Sequence, residues 1–72
     1  MTDHVYKIVE LVGTSEKGVG EAVENALSRA SKSIRNIRWF EANNIRGSVE
    51  SGKVKQFQVS VKIGFTLDDN NI

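Results

Sequence analysis

Few side chains in this sequence have chemistry to offer. There is one tryptophan, Trp39, one histidine, His4, and no cysteine. An exposed indole is a flat surface suited to stacking on a planar ligand or a partner subunit, whereas a buried one is a core residue. Arg29, Lys32, Arg35 and Arg38 recur every three residues. Such a cluster binds a phosphate-bearing or other anionic partner, or else forms a solvated face favoured by the dipole at a helix C-terminus. Glu10, Glu41 and Glu50 are scattered and form no recognisable acid–base pair, and no serine has a histidine–acid pairing in view. The residues therefore favour binding over catalysis. With no cysteine and a single histidine, disulfides, thiolate metal sites and multi-histidine sites within one subunit are excluded, so no metal site is expected.

Two glycine patterns imitate phosphate-binding motifs. Gly13 and Gly18 have the spacing that opens a P-loop, but Val19 and Gly20 stand where a lysine and a Ser or Thr are required. Gly18-Val19-Gly20 resembles the start of a dinucleotide fingerprint, but Val23 occupies the third small position and the chain is too short for that fold. Both read as a tight junction between a strand and a helix.

Four elements must position these residues. From about His4 to Val12, β-forming residues occur on both parities, which suits a strand covered on both faces. Gly13 is expected to break it. Thr14 and Ser15 are then candidate helix caps. Val19, Ala22, Val23, Ala26, Leu27, Ala30 and Ile34 form one apolar helical stripe, with Glu21, Glu24, Asn25, Ser28, Arg29, Lys32 and Arg35 on the other side. A third segment covers about Asn36 to Glu50, and Ser51-Gly52 marks a hairpin turn. The fourth, about Lys53 to Phe65, alternates cleanly. Phe57, Val59, Val61, Ile63 and Phe65 fill one face; Gln56, Gln58, Ser60, Lys62 and Gly64 fill the other. The polar tail Asp68-Asp69-Asn70-Asn71 is expected to fray.

The predicted architecture is α+β, in the order β-α-β-β, with one helix on one face of a three-stranded antiparallel sheet. Phe40 is expected on the helix side with Phe57 through Phe65. Trp39 and Gln58 then share the open face with part of the first strand's apolar set, a surface suited to a ligand or to assembly.

The 72 residues allow one domain. Chains this small bury only ~60% of their unfolded surface and usually need a staple. With disulfides and metals excluded, partner subunits remain. The net charge of +1 gives no strong pull toward nucleic acid or an anionic membrane, and the aromatic signature of RNA recognition is missing. The apolar runs are too short to span a bilayer, and the opening Met1-Thr2-Asp3-His4 is unlike a signal peptide. Cytoplasm is the expected compartment.

With these residues in hand, the chain resembles a dodecin. The resemblance runs from about Val5 to Leu67. It is carried by Tyr6 to Ser15 (YKIVELVGTS), Arg38 to Glu41 (RWFE), Ile45 to Gly47 (IRG), Phe57 to Val59 (FQV) and Gly64-Phe65, in that order and spacing. It implies a single dodecin-like domain over residues 1–72 and a hollow homododecamer. It further implies flavins lying in pairs between tryptophans of symmetry-related subunits. By that resemblance Trp39 is the stacking residue and Gln58 hydrogen-bonds the polar edge of the ring. Arg46 matches an arginine of the bacterial branch near the flavin pair. Lys7 and Ser33 are candidates for the flavin's side chain and phosphate. FMN or riboflavin is the implied cofactor, with FMN favoured. The implied role is flavin storage, buffering and photoprotection, without catalysis.

Strict alternation from Trp39 puts Arg46 on the opposite parity. Either a bulge near Asn43-Asn44 resets the pleat, or Arg46 reaches the site from another direction. Two other functions compete with flavin storage: a small oligomeric interaction module using the basic cluster, and a flavin enzyme, which needs one ring face open to substrate.

Overall fold

A computed structural model describes residues 3–67. Met1 and Thr2 lie outside the described residues, as does the tail from Asp68 for which fraying is expected. The elements are β1 (Tyr6–Ser15), α1 (Val19–Ala30), β2 (Ile37–Glu50) and β3 (Lys53–Thr66). They form one antiparallel sheet in the order β1-β3-β2, so the cleanly alternating last strand is central. That position explains its pattern, since a central strand is ordered by neighbours on both edges while only one of its faces packs on the helix.

The core is small. Val59, Val61 and Ile63 on β3 are fully buried against Ala22, Ala26 and Ala30 of α1, with Val9, Leu11, Leu27 and Ile34 packed around them. Alanines on the helix let its backbone approach closely. It comes close at Gly13, where a Cβ would overlap the carbonyl oxygen of Ala22. Gly13 therefore does not break β1. The strand runs on to Ser15, and Gly13 is the point at which the helix rests on it.

The capping expectation is corrected in the same place. Thr14 and Ser15 are strand residues. The residue at the helix N-cap is Gly18, with extended backbone and no side-chain cap bond. Ser15 serves the same need from a distance. Its Oγ accepts hydrogen bonds from the backbone N–H groups of Lys17 (2.9 Å) and Gly18 (3.4 Å) and donates to Oε1 of Glu21 (2.6 Å). Asn25 Nδ2 donates to the Thr14 carbonyl at 2.9 Å. Glu21 and Asn25, expected on the outer helix face, are thus turned back to fasten α1 to the end of β1. The helix stops at Ala30, so Ile34 completes the apolar stripe from the following loop.

The helix lies over β1 and β3 and leaves most of β2 bare. Phe40 pairs with Ile63 and has the helix-side parity, as expected, yet it is 50% exposed because the helix stands beside it, across a groove lined by Val23 and Leu27, and does not cover it. The β2–β3 turn has positive φ at both Ser51 (54°) and Gly52 (76°), the requirement of a type I′ hairpin turn.

Candidate functional site

Pairing register fixes what lies on the helix-free face. From one end of the sheet to the other, Trp39 is level with Gly64 and Ile8, Glu41 with Lys62 and Glu10, Asn44 with Ser60 and Val12, and Arg46 with Gln58 and Thr14. Three register shifts punctuate the β2–β3 pairing, at Ile37/Trp39, Ala42/Asn44 and Ser48/Val49. The middle one decides the Arg46 question. Asn43 is the extra residue, the pleat resets there, and Arg46 comes onto the same face as Trp39 and Gln58. The bulged Asn43 extends Nδ2 to within 3.5 Å of Glu10 Oε2, across the central strand.

Trp39 occupies one end of this face and is 37% exposed. A Cβ at Gly64 would overlap the indole. The nearest ring atoms are Cε2, Cζ2 and Cδ2, which include both fusion atoms. Approach to the fusion bond without the pyrrole nitrogen means that Gly64 meets the ring's face and not its edge. One indole face is therefore closed by the sheet and the other is free. Tyr6, on β1, stands beside it with ring centroids 6.2 Å apart in an edge arrangement.

The other end is polar. Arg46 Nε donates to Gln58 Oε1 at 3.4 Å, and Gln58 Nε2 donates to Gln56 Oε1 at 3.3 Å. These bonds orient the Gln58 amide and leave it one further donor hydrogen and one further lone pair for a ligand edge. They also leave the terminal guanidinium nitrogens of Arg46 for an acceptor.

The structure brings Arg46 and Gln58 together and keeps Trp39 from them. Gly64, beneath Trp39, is six residues along β3 from Gln58, about 20 Å at the rise of a strand. No one planar ring stacked on Trp39 reaches Gln58 of the same chain. Lys7 and Ser33 lie elsewhere again. Lys7 has the helix-side parity of Val9 and Leu11. Ser33 follows α1 and lines a groove with Val9, Leu11, Arg29 and Ile34 on the helix side of the sheet. A ligand touching all five residues must take them from more than one copy. The basic cluster is dispersed: Arg29 is in α1, Lys32 and Arg35 in the connection, and Arg38 in β2.

Sequence reasoning missed three contributors. Gly64 and Tyr6 stand in stretches that carry the resemblance, but neither was given a role: Gly64 read as a small residue on the polar parity of β3 and Tyr6 as one of several apolar residues. Knowledge that β3 separates β1 from β2 is needed to see that both face Trp39. Gln56 shares the parity of Gln58, and that was the available signal.

A family model described as Dodecin matches residues 5–68. A dodecin of Thermus thermophilus is 49% identical over 65 residues, covering 90% of this chain and 94% of that protein. The solved structure of dodecin from Streptomyces coelicolor superposes with a TM-score of 0.91 at 46% identity, over 96% of this chain and 99% of that one. Dodecin from Streptomyces davaonensis gives 0.90 at 40% identity, over 94% and 100%.

Proposed function

The chain belongs to the dodecin family, and from that premise we propose that it binds FMN or riboflavin for storage, buffering and photoprotection, as a hollow homododecamer and without catalysis. One observation carries the reading: a single free indole face lies about 20 Å along the strand from the amide and guanidinium that would read a ring edge. Two copies facing each other in opposite directions bring Trp39 of each to the polar end of the other. The site is thereby completed twice, as a two-fold axis requires.

The monomer's shape supports assembly. Its radius of gyration is 14.6 Å, against ~11 Å for a compact domain of this length. Its accessible surface is 5298 Å², against about 4,450 Å² for a folded monomer of 8.0 kDa. Ile8, Val12, Phe40, Ile45, Val49 and Val54 are exposed. The 14-residue strand β2 is an open sheet edge, which natural proteins cover or blunt.

The residues fit a flavin. Trp39 offers a stacking face, and aromatic stacking contributes ~0.5–1.5 kcal/mol beyond area burial. Gln58 both donates and accepts, as the alternating groups of the ring edge require. Arg46 adds a cation beside it. Lys7 and Ser33 are proposed to meet the ribityl chain or phosphate from a neighbouring copy. A bound flavin supplies a photoexcitable electron acceptor, and Trp39 is an electron donor in contact with it, so excitation is dissipated. With indole on one face and a second ring on the other, a substrate has no face to occupy. The balanced charge and lack of cysteine suit a cytoplasmic protein that binds neither nucleic acid nor membrane. Among the described residues no helix is long and apolar enough to cross a membrane.

The testing experiment is a fluorescence titration of FMN with the purified protein. Saturable quenching at one flavin per chain is the expected result, and unquenched FMN at high protein concentration overturns the proposal. Sedimentation should give a particle many times heavier than 8.0 kDa; a stable monomer would remove the assembly. Gln58→Ala should weaken FMN binding about tenfold, because it strips partners from a buried ring edge. Equal affinity in that variant would take Gln58 out of the site.

A further inference from the structure

Trp39 and Tyr6 stand on the two outer strands, β2 and β1, with β3 between them. Neighbouring strands lie about 4.8 Å apart, and Tyr6, level with Thr66, is two residues along from Trp39, level with Gly64, so the two residues start from backbones about 12 Å apart. Their ring centroids are nonetheless 6.2 Å apart. The indole therefore leans inward over the central strand, where it lies against Gly64. The room for this is a notch in β3 at Gly64, where any Cβ would overlap the indole. The indole thus rests face-down on backbone, and the Tyr6 ring stands beside it in an edge arrangement at an interplanar angle of 64°.

We propose that Tyr6 and Gly64 are positioning residues that hold the Trp39 indole at one tilt across β3, and that this tilt sets how tightly a planar ring stacks on it. An indole on an edge strand, attached through two rotatable bonds, would otherwise sample several orientations. Each would have to be given up on ligand binding, and a platform fixed beforehand removes that cost. The notch supplies the floor and Tyr6 supplies the stop. The phenol hydroxyl is not needed for this; the ring is. The consequence for ligand affinity rests on the flavin reading above, while the restraint on the indole does not.

The test uses the full chain in its native assembly and three variants. Trp39 is the only tryptophan, so selectively excited tryptophan fluorescence reports on it alone. In the ligand-free protein, Tyr6→Leu should lower the anisotropy of that fluorescence through faster local motion, and it should weaken FMN binding about tenfold. Tyr6→Phe keeps the ring and should match the parent in anisotropy and, within about twofold, in affinity. Gly64→Ala fills the notch from the other side and should weaken FMN binding at least as much as Tyr6→Leu while Tyr6 is intact. Particle mass is measured for each, so that a failure to assemble is seen as such.

Unchanged anisotropy in Tyr6→Leu overturns the restraint. A freed indole with unchanged FMN affinity overturns the link from tilt to binding. If the parent itself does not bind FMN but Tyr6→Leu frees the indole, the flavin reading fails and the restraint stands.

Discussion

Trp39→Ala is expected to abolish FMN quenching at protein concentrations that saturate the parent, a loss in affinity of at least about 100-fold, or about 2.8 kcal/mol. The variant loses more than an aromatic contact. Alanine leaves the Gly64 notch open to water and leaves one ring face of any bound flavin without a partner. In a symmetric pair the same deletion occurs twice. Central aromatic residues in well-packed contacts commonly carry losses of this size. The loss should occur without unfolding. Trp39 is 37% exposed, on the face away from the buried Val59, Val61 and Ile63, and its strand pairs through backbone that the substitution does not touch. The check is the FMN titration beside a urea melt of the ligand-free protein. Parent-like affinity would show that the indole is not the platform. A large drop in the urea midpoint would show that Trp39 is a structural residue.

How far this site was legible in the sequence depends on which strand a residue occupies. Residues on β3 could be read because a central strand alternates strictly: Gln58 and Gly64 fall on one face and Val59, Val61 and Ile63 on the other, as the pattern requires. Trp39 and Phe40 could be placed on opposite faces because they are adjacent. Arg46 could not be placed. A bulge adds one residue and inverts every later parity, and the Asn43-Asn44 pair marks where such an irregularity is tolerated without showing that it occurs. Phe40 shows a different limit. Its parity was right, but parity says which face a side chain joins, not whether a 12-residue helix is wide enough to cover it. The separation of Trp39 from Gln58 was implicit in their places on the paired strands. Once β2 and β3 form a hairpin about Ser51-Gly52, Trp39 lies near the open end and Gln58 nearer the turn. What sequence does not contain is the second copy proposed to close the distance, because an interface between copies is made of residues that look like ordinary exposed β-formers.

Gly13 is the position at which a local rule misled, and it is where a single methyl group should do the most damage to the fold. Glycine weakens a strand by its freedom and lack of a side chain, so a glycine followed by Thr14 and Ser15 reads as the end of a strand and the start of a helix. In the folded chain β1 continues through it because the pairing of Gly13 with Val59 holds it in the ladder. What the position requires is the absence of a Cβ. One placed there overlaps backbone, the carbonyl oxygen of Ala22, with the Ala26 side chain also in contact. A flexible side chain could move aside, but the Ala22 carbonyl belongs to the helix ladder. Accommodation must therefore lift α1 from the sheet. That movement would loosen Ala22 and Ala26 from Val59 and Val61 and strain the Ser15–Glu21 and Asn25–Thr14 bonds that fasten the helix start. Gly13→Ala should cost about 3 kcal/mol, the upper end of overpacking penalties, out of a core of six buried residues. A urea melt at fixed protein concentration, compared with Gly20→Ala, isolates the effect. Gly20 is a helix residue whose added Cβ meets nothing within 4 Å. Alanine there should be neutral or stabilising, through helix propensity. Equal midpoints for the two variants would mean that the helix is not seated on Gly13. A parent-like Gly20→Ala beside a Gly13→Ala chain that unfolds early, or fails to assemble, would place the limit on this small fold at the contact of the Ala22 carbonyl with Gly13.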